Sequence, residues 1–427
     1  MNSRYIAFSE VNRLRVMKIF NSILEFKELW SLATERFIAW WEKDLRSPLV
    51  QITVPRKGLE DRVAMLFNRW HWGFARNPGN PIETVESFVE WCRNMVFLAD
   101  SYPNLWINLG PGIVAGYFGS KVFFKETTAI PEDSTVSKLV EKSGWNQSYA
   151  TVWFGASADS SEVKNWDEID SMVRFDPDNF WWRKTIEFTT LALKYRRGRY
   201  IVGLTDLGGV HDVLASLRGT QNLVKDMYYN PRKVEEISWR ILELWHIYYD
   251  KLYEIVREQQ YGTSAWMGLW SPGKWYPIQC DFSAILSPKL FQKFVLPILE
   301  EHCIRLDNTV YHLDGPGELP HVDFLVKIER LNGIQWVPGA AMEALNRDCG
   351  SEYWIPLYRK ILEYGKNLVI SVPYARVLEI LEKLSTIKGV AIQVGCPNAE
   401  VAKKLLAKLV DKNIIDSEFI REIPLLV

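Results

Sequence analysis

The sequence has little net charge, because its 51 basic residues are nearly balanced by 52 acidic ones. A protein without a basic excess lacks the long-range attraction that recruits nucleic acids or anionic membrane surfaces. The sequence therefore predicts neither nucleic acid nor a membrane as a partner.

Cysteine is scarce, with five residues in a chain of 427. An odd number of scattered cysteines is typical of reduced thiols and not of a disulfide framework. The first 41 residues also lack an uninterrupted apolar stretch that could serve as a signal core or a membrane span. These absences predict a cytoplasmic protein.

No low-complexity linker and no internal repeat divides the chain, which favours one compact unit over residues 1–427. Hydrophobic residues make up 48% of the sequence and charged residues 24%, so the chain can bury a large core. Nineteen tryptophans are present, and their rings can pack the core or line pockets for flat ligands and sugars.

Eight short apolar runs, rich in β-branched and aromatic residues, are separated by segments with helical periodicity. This pattern is typical of parallel strands that are buried on both faces, and eight such units predict a closed (βα)8 TIM barrel. The runs are Leu49–Val54, Asn104–Leu109, Tyr200–Thr205, Thr263–Leu269, Thr309–Leu313, Gly333–Val337, Asn367–Val372 and Val390–Val394.

Two regions fall outside the predicted barrel. Residues 1–47 have an apolar pattern that predicts an N-terminal helical extension. Residues 119–198, between the second and third predicted strands, are too long for a simple crossover and predict an insertion bordering the active site. Two strand-like runs lie in this insertion, at Tyr149–Phe154 and Met172–Phe175.

Active sites of such barrels lie at the carboxyl ends of the strands, so the polar and aromatic residues there are the candidates. For catalysis these are Asp206, His312 and Asp314. The substrate-binding candidates are Arg56, Trp266, Trp270, Gln279, Asp281, Gln335, Trp336 and Tyr374.

The run Tyr311–Gly317 carries the strongest chemical signal, because strand alternation turns His312 and Asp314 to the same side. The two side chains can act as an acid/base pair, or they can hold a divalent metal with Cys396 as a third ligand. The structural alternative is that Asp314 orients the turn at Gly315 while His312 is a core residue. No GxSxG, HExxH, P-loop or dinucleotide motif is present.

Four segments resemble the uroporphyrinogen decarboxylase superfamily, which includes corrinoid-linked methyltransferases. They are TDLGGVHDVLASLRG (205–219), residues 279–297, the strand YHLDGPG (311–317) and GCPNAEVAKKL (395–405). The resemblance implies a (βα)8 barrel and a methyltransferase-like enzyme that moves a methyl group to or from a thiol or a corrinoid supplied by a partner protein.

In the resembling methyltransferases a histidine, a cysteine two residues later and a distant cysteine bind zinc. The matching positions here are His312, Asp314 and Cys396, so the resemblance implies a zinc site with a carboxylate in place of the middle cysteine. The decarboxylases carry an arginine-rich stretch after the first strand, where this chain has only Arg56 and Lys57. A decarboxylase-like lyase acting on a carboxylated substrate is the first alternative.

A second alternative is a carbohydrate-binding or carbohydrate-processing barrel. Asp206, Asp281 and Asp314 would then supply the acid and the base, as paired carboxylates do in glycoside hydrolysis. Trp270 and Trp336 would serve as stacking platforms for the sugar rings.

Overall fold

The computed structural model describes residues 24–127, 149–154 and 164–426. These residues form a mixed α/β fold with a largely parallel central sheet. The strands are β1 (Leu49–Pro55), β2 (Met95–Ala99), β3 (Asn104–Trp106), β4 (Val122–Thr127), β5 (Tyr149–Phe154), β6 (Ile201–Leu204), β7 (Thr263–Ala265), β8 (Trp270–Ser271), β9 (Trp275–Gln279), β10 (Asn308–Asp314), β11 (Gly333–Val337), β12 (Asn367–Ser371) and β13 (Val390–Gly395).

Helices connect most of these strands. The α-helices are Trp30–Trp41, Glu60–Trp70, Gly73–Arg76, Pro81–Arg93, Val114–Tyr117, Trp166–Met172, Phe180–Arg196, Val210–Arg218, Thr220–Tyr229, Pro231–Gln260, Pro288–Leu290, Leu296–Arg305, Val322–Leu325, Ala340–Ala344, Ile355–Glu363, Val377–Lys383 and Ala399–Asp411. Short 3₁₀ segments occur at Asp281–Ile285, Pro316–His321, Glu352–Trp354, Tyr374–Arg376 and Ser417–Leu426, with one π-helical turn at Phe291–Val295. In the described ranges no helix has both the length and the apolar character needed to span a bilayer.

Six strands form a continuous parallel run in the order β9-β10-β11-β12-β13-β1, and β2 adds to its edge in the antiparallel sense. A second sheet has the order β3-β6-β7-β8, of which the first three strands are parallel. The strands β4 and β5 form a separate antiparallel pair. The described ladders thus run in two large sheets, and closure into one barrel stays a prediction.

Each of the eight predicted apolar runs overlaps a strand, and Gly333–Val337 matches β11 in both bounds. The second and fourth runs are longer than their strands, because only Asn104–Trp106 and Thr263–Ala265 are strands. The strand that pairs with β10 is β9, which lies outside the eight predicted runs. Pro277 lies in its centre, opposite Val310, and proline normally argues against a central strand.

The region 119–198 is only partly described. The predicted strand Tyr149–Phe154 is confirmed as β5, and it pairs with β4. The predicted strand Met172–Phe175 is wrong, because Met172 ends a helix that a capping box at Asn165 begins. Residues 128–148 and 155–163 of this region, like residues 1–23, lie outside the described residues.

The described part of the N-terminal extension is a helix, Trp30–Trp41, which is tied to the sheet by a buried ion pair. The Nε of Arg36 donates to Oδ1 of Asp100 at 2.7 Å, and its Nη2 donates to Oδ2 at 3.1 Å. The same Oδ2 accepts the backbone N–H of Val50, the second residue of β1. One carboxylate therefore joins the helix, β1 and the turn after β2.

We expect Asp100→Asn to destabilise the fold by about 3 kcal/mol or more, because it leaves the buried Arg36 guanidinium without a counter-charge. The matched control is Glu90→Gln, which breaks an exposed pair with Arg62 and should cost less than about 1 kcal/mol. Chemical denaturation of both variants measures the difference. Equal losses would contradict the assigned role of the buried pair.

Candidate functional site

The register of the parallel strands brings polar side chains to one level of the sheet. His312 on β10 lies opposite Gln279 on β9 and Gln335 on β11. Further around the sheet, Gln393 on β13 lies opposite both Gln51 on β1 and Ser371 on β12. We call this set the polar layer, and its members are Gln51, Gln279, His312, Gln335, Ser371 and Gln393.

The imidazole of His312 is held in one orientation by its neighbours. Its Nδ1 lies 2.7 Å from Oε1 of Gln335, and an amide oxygen can only accept a hydrogen bond. Nδ1 therefore carries the proton, and the lone pair remains on Nε2, which is the form of histidine that binds metals. The ring of Trp266 packs edge-on against the imidazole at a centroid distance of 5.0 Å.

Two carboxylates converge on this histidine. One ligand atom each from Asp281, His312 and Asp314 lie within 4.8 Å of one another. The Oδ1 of Asp281 is buried without a hydrogen-bond partner, and its Oδ2 is 3.5 Å from Nε2 of Gln279. Asp314 is more exposed and lies at the end of β10. We call Asp281, His312 and Asp314 the metal-ligand group.

A further carboxylate, Asp212, holds the backbone of Asp281 in place. Its Oδ1 accepts the N–H of Phe282 at 2.6 Å, and its Oδ2 accepts the N–H of Asp281 at 3.2 Å. A Cβ on Gly209 would meet Oδ2 of Asp212 at 2.3 Å, so only glycine allows this approach. Burial, followed by repulsion from Asp281, raises the pKa of Asp212 to about 7.

Two more acids border the group. Asp206, just beyond the end of β6, is buried and accepts a hydrogen bond from the N–H of Gly208 at 2.8 Å. Burial raises the pKa of Asp206 to about 7, although attraction to His312 acts to lower it. Glu318 is fully buried and accepts a hydrogen bond from the hydroxyl of Tyr311 at 2.8 Å. Burial and the nearby Asp281 raise its pKa to about 10.

The site is an acidic cluster without a basic counterpart. Among the described residues, no lysine or arginine forms an ion pair with Asp206, Asp212, Asp281, Asp314 or Glu318. Burial, with repulsion from Asp314 and Asp206, raises the pKa of Asp281 to about 7. Carboxyl groups in this position must either keep their protons or share a bound cation.

Sequence reasoning placed Cys396 with His312 and Asp314, whereas the structure brings Asp281 to them. Cys396 is buried just after β13, its N–H donates to the carbonyl of Thr53, and burial raises the pKa of its thiol to about 12. It does not belong to the metal-ligand group. Asp212 and Glu318 were not predicted from the sequence. The one feature that could have indicated them is that each lies a few residues after a predicted site residue at a strand end.

Four predicted substrate-binding residues lie away from the metal-ligand group. Arg56 is exposed and donates to the carbonyls of Arg93 and Leu425. Tyr374 is 41% exposed on a short 3₁₀ turn. The other two, Trp270 and Trp336, are buried.

The buried tryptophans cannot stack on a sugar in this structure. Trp270 is 1% exposed and packs against Trp30 of the N-terminal helix, with ring centroids 5.8 Å apart. Trp336 has no exposure and packs against Trp354. Trp336 follows Gln335 on β11, so strand alternation turns it to the opposite face from the metal-ligand group. The predicted carbohydrate platforms are therefore part of the core.

A cavity of about 820 Å³ lies at the carboxyl ends of β1, β12 and β13. Its wall includes Gln51, Ser371 and Gln393 of the polar layer together with Gly268. The loop that carries Gly268 also carries Trp266, whose ring contacts His312. None of the eight predicted substrate-binding residues lines this cavity.

Comparison with known proteins finds a likeness of fold. No protein-family model and no curated protein sequence matches the chain. Among solved structures the chain is similar to a methyltransferase from Methanosarcina mazei, with a TM-score of 0.50 and 13% sequence identity, covering 89% of this chain and 99% of that chain. At this identity the likeness concerns the fold, and it extends over nearly the whole length of both chains.

Proposed function

We propose that this chain is a methyltransferase-like enzyme that acts on a small molecule and binds a divalent metal through Asp281, His312 and Asp314. The likeness of fold to a methyltransferase supports the reaction class. The convergence of three ligand atoms within 4.8 Å supports the metal. We further propose that the fold is a closed barrel of the uroporphyrinogen decarboxylase superfamily, as the sequence resemblance implies.

The donor set fits a divalent transition metal. One imidazole nitrogen and two carboxylate oxygens are ligands that zinc accepts, and they form a harder set than the two thiolates of the resembling methyltransferases. Gln335 supplies the outer-shell hydrogen bond to Nδ1 that metal-binding histidines usually make. When bound, such a cation lowers the pKa of a coordinated thiol or water and so provides a nucleophile near neutral pH.

The observation that carries the proposal is the buried Oδ1 of Asp281, which has no hydrogen-bond partner. A buried carboxylate oxygen without a donor is costly, and no lysine or arginine of the described residues pairs with it. The loop that positions it is itself fixed by Asp212, so the carboxylate cannot easily turn to solvent. A metal cation at this point would satisfy the oxygen.

The neighbouring acid Asp206 has a separate role. Its pKa of about 7 allows it to accept or release a proton near neutral pH. It also lies close enough to His312 for the two side chains to interact electrostatically. We propose that Asp206 accepts the proton that leaves the substrate when the nucleophile forms. A thiol acceptor and a corrinoid partner protein complete the function that the sequence resemblance implies, and both stay predictions.

The first test is the metal content of the purified protein, measured by mass spectrometry after zinc supplementation. We expect near-stoichiometric metal in the wild type and its loss in His312→Ala and in Asp281→Asn. Cys396→Ser is the matched control and should retain the metal, because Cys396 is outside the metal-ligand group. A metal-free wild type would overturn the metal site, and loss in Cys396→Ser alone would restore that thiol as a ligand.

Gln335→Ala tests the outer shell. We expect it to weaken metal affinity by roughly 10- to 100-fold, because Nδ1 of His312 loses the acceptor that fixes the ring. Competition with a chromophoric chelator measures the affinity. Gln335→Glu, which restores an acceptor, should recover most of it, and equal affinity in all three proteins would contradict the role of Gln335.

The raised pKa values predict a pH dependence of stability. Asp281 has a pKa of about 7 in the fold and about 3.9 in the unfolded chain, so the folded state binds the extra proton and loses stability as pH rises through about 7. In EDTA, Asp281→Asn should therefore gain stability over the wild type between about pH 5 and pH 8, by on the order of 2 kcal/mol. Chemical denaturation across that range measures the difference.

The same titration predicts the effect of metal. Zinc must displace the proton of Asp281 below about pH 7, so it should stabilise the wild type more at about pH 8 than at about pH 5.5. Asp281→Asn should lack this response to zinc. In EDTA it should lose less stability than the wild type as pH rises, the remaining loss coming from Asp206 and Asp212, which still titrate near pH 7. A wild type whose stability in EDTA parallels that of the variant at every pH would contradict the assigned burial of this carboxyl group.

A further inference from the structure

We propose that the cavity at the carboxyl ends of β1, β12 and β13 binds a small organic cation, such as a primary or secondary ammonium group. Such a cation would be the substrate of the enzyme proposed above, and its biological role rests on that proposed function. Its physical basis is independent, because no residue of the metal-ligand group lines the cavity.

The cavity has the size of a small-molecule site. Its volume of about 820 Å³ lies within the range of roughly 300–1,000 Å³ that such sites occupy. Residues from β1, β12 and β13 contribute to one wall, and the helix Ala340–Ala344 contributes Glu343 to another. The carboxyl ends of these strands therefore face the space that a substrate would fill.

The floor of the cavity is polar but already satisfied. The hydroxyl of Ser371 donates to Oε1 of Gln393, whose Nε2 donates to Oε1 of Gln51 at 3.1 Å. The Nε2 of Gln51 in turn donates to the carbonyl of Gly268 at 2.9 Å. This series of hydrogen bonds fixes the amides of Gln51 and Gln393 in one orientation. The floor therefore has no free charged group, and selection of a ligand by its charge depends on the walls.

The charge on the walls is negative. Glu343 and Asp348 are the acidic residues of the lining, and within the described residues that form it there is no lysine or arginine. Asp348 is partly neutralised by Arg376 at 3.5 Å. Glu343 has no ion pair or side-chain hydrogen bond in the described structure, and desolvation followed by repulsion from Asp348 raises its pKa. Glu343 is therefore the carboxylate left for a ligand.

The amide of Asn104 adds no free acceptor to the wall. Its Nδ2 donates to the carbonyl of Ala265 at 2.9 Å, and its Oδ1 is buried against Gly203, out of reach of a ligand. The unpaired charge that a ligand meets is therefore that of Glu343. A ligand with a positive charge matches it, whereas a carboxylate, sulfonate or phosphate would meet repulsion.

A matched ligand series tests the proposal. Cyclohexylmethylamine, cyclohexylmethanol and cyclohexanecarboxylate share one frame and differ in charge, and isothermal titration of the full chain in EDTA measures their binding. We expect the ammonium to bind most tightly and Glu343→Gln to weaken it by only about fivefold, because the carboxylate is exposed to solvent.

Charge reversal keeps the test decisive. Glu343→Lys should bind the carboxylate more tightly than the ammonium, and the exposed Glu363→Gln, which lies outside the cavity, should behave as wild type. Equal or tighter wild-type binding of the carboxylate, absence of ammonium binding, or indifference to Glu343→Gln would each overturn the proposal. Because EDTA is present throughout, a missing metal cannot produce these failures, and metal content is read separately.

Discussion

Burial of carboxyl groups without a basic partner is the constraint on which the candidate site depends. The ends of β6, β9 and β10 bring Asp206, Asp281 and Asp314 towards His312. Burial affects the protonation of these acids and of the nearby Glu318 differently. Glu318 keeps its proton because its pKa is about 10, whereas Asp206 and Asp281 titrate near neutral pH. Glu318 is therefore a fixed structural acid, Asp281 can exchange its proton for a cation, and Asp206 can accept or release a proton.

The surrounding structure fixes this cluster from two sides. Asp212, at the start of the helix Val210–Arg218, holds the backbone at Asp281, and the glycine at position 209 permits the close approach. From the other side, the amides of the polar layer hold the loop that carries Gly268. That loop also places Trp266 against His312, so one loop contacts both the metal-ligand group and the cavity.

The sequence predicted the part of the site that depends on strand alternation alone. His312 and Asp314 were found because they alternate along one strand. Asp281 was predicted to bind substrate and not to join them as a metal ligand, because Pro277 argues against the strand β9 that leads to it. Trp270 and Trp336 were misread because periodicity shows that two faces exist and not which one is the core. Gln279 and Gln335 of the polar layer were predicted because they stand at strand ends, whereas Gln51 and Gln393 were missed. In the sequence these two only interrupt an apolar pattern, and the strand register is what brings them together.

The two halves of the site share one electrostatic character. The chain has a formal charge of −1, so its overall charge attracts neither sign, yet the described groups at the carboxyl ends of the strands are mainly acidic. Negative charge in a concave surface raises the local concentration of cations. A metal at Asp281, His312 and Asp314 would neutralise one half and leave Glu343 as the unpaired charge of the other. A cationic substrate would then be drawn to the cavity and repelled from the metal, so the charge pattern alone would orient it.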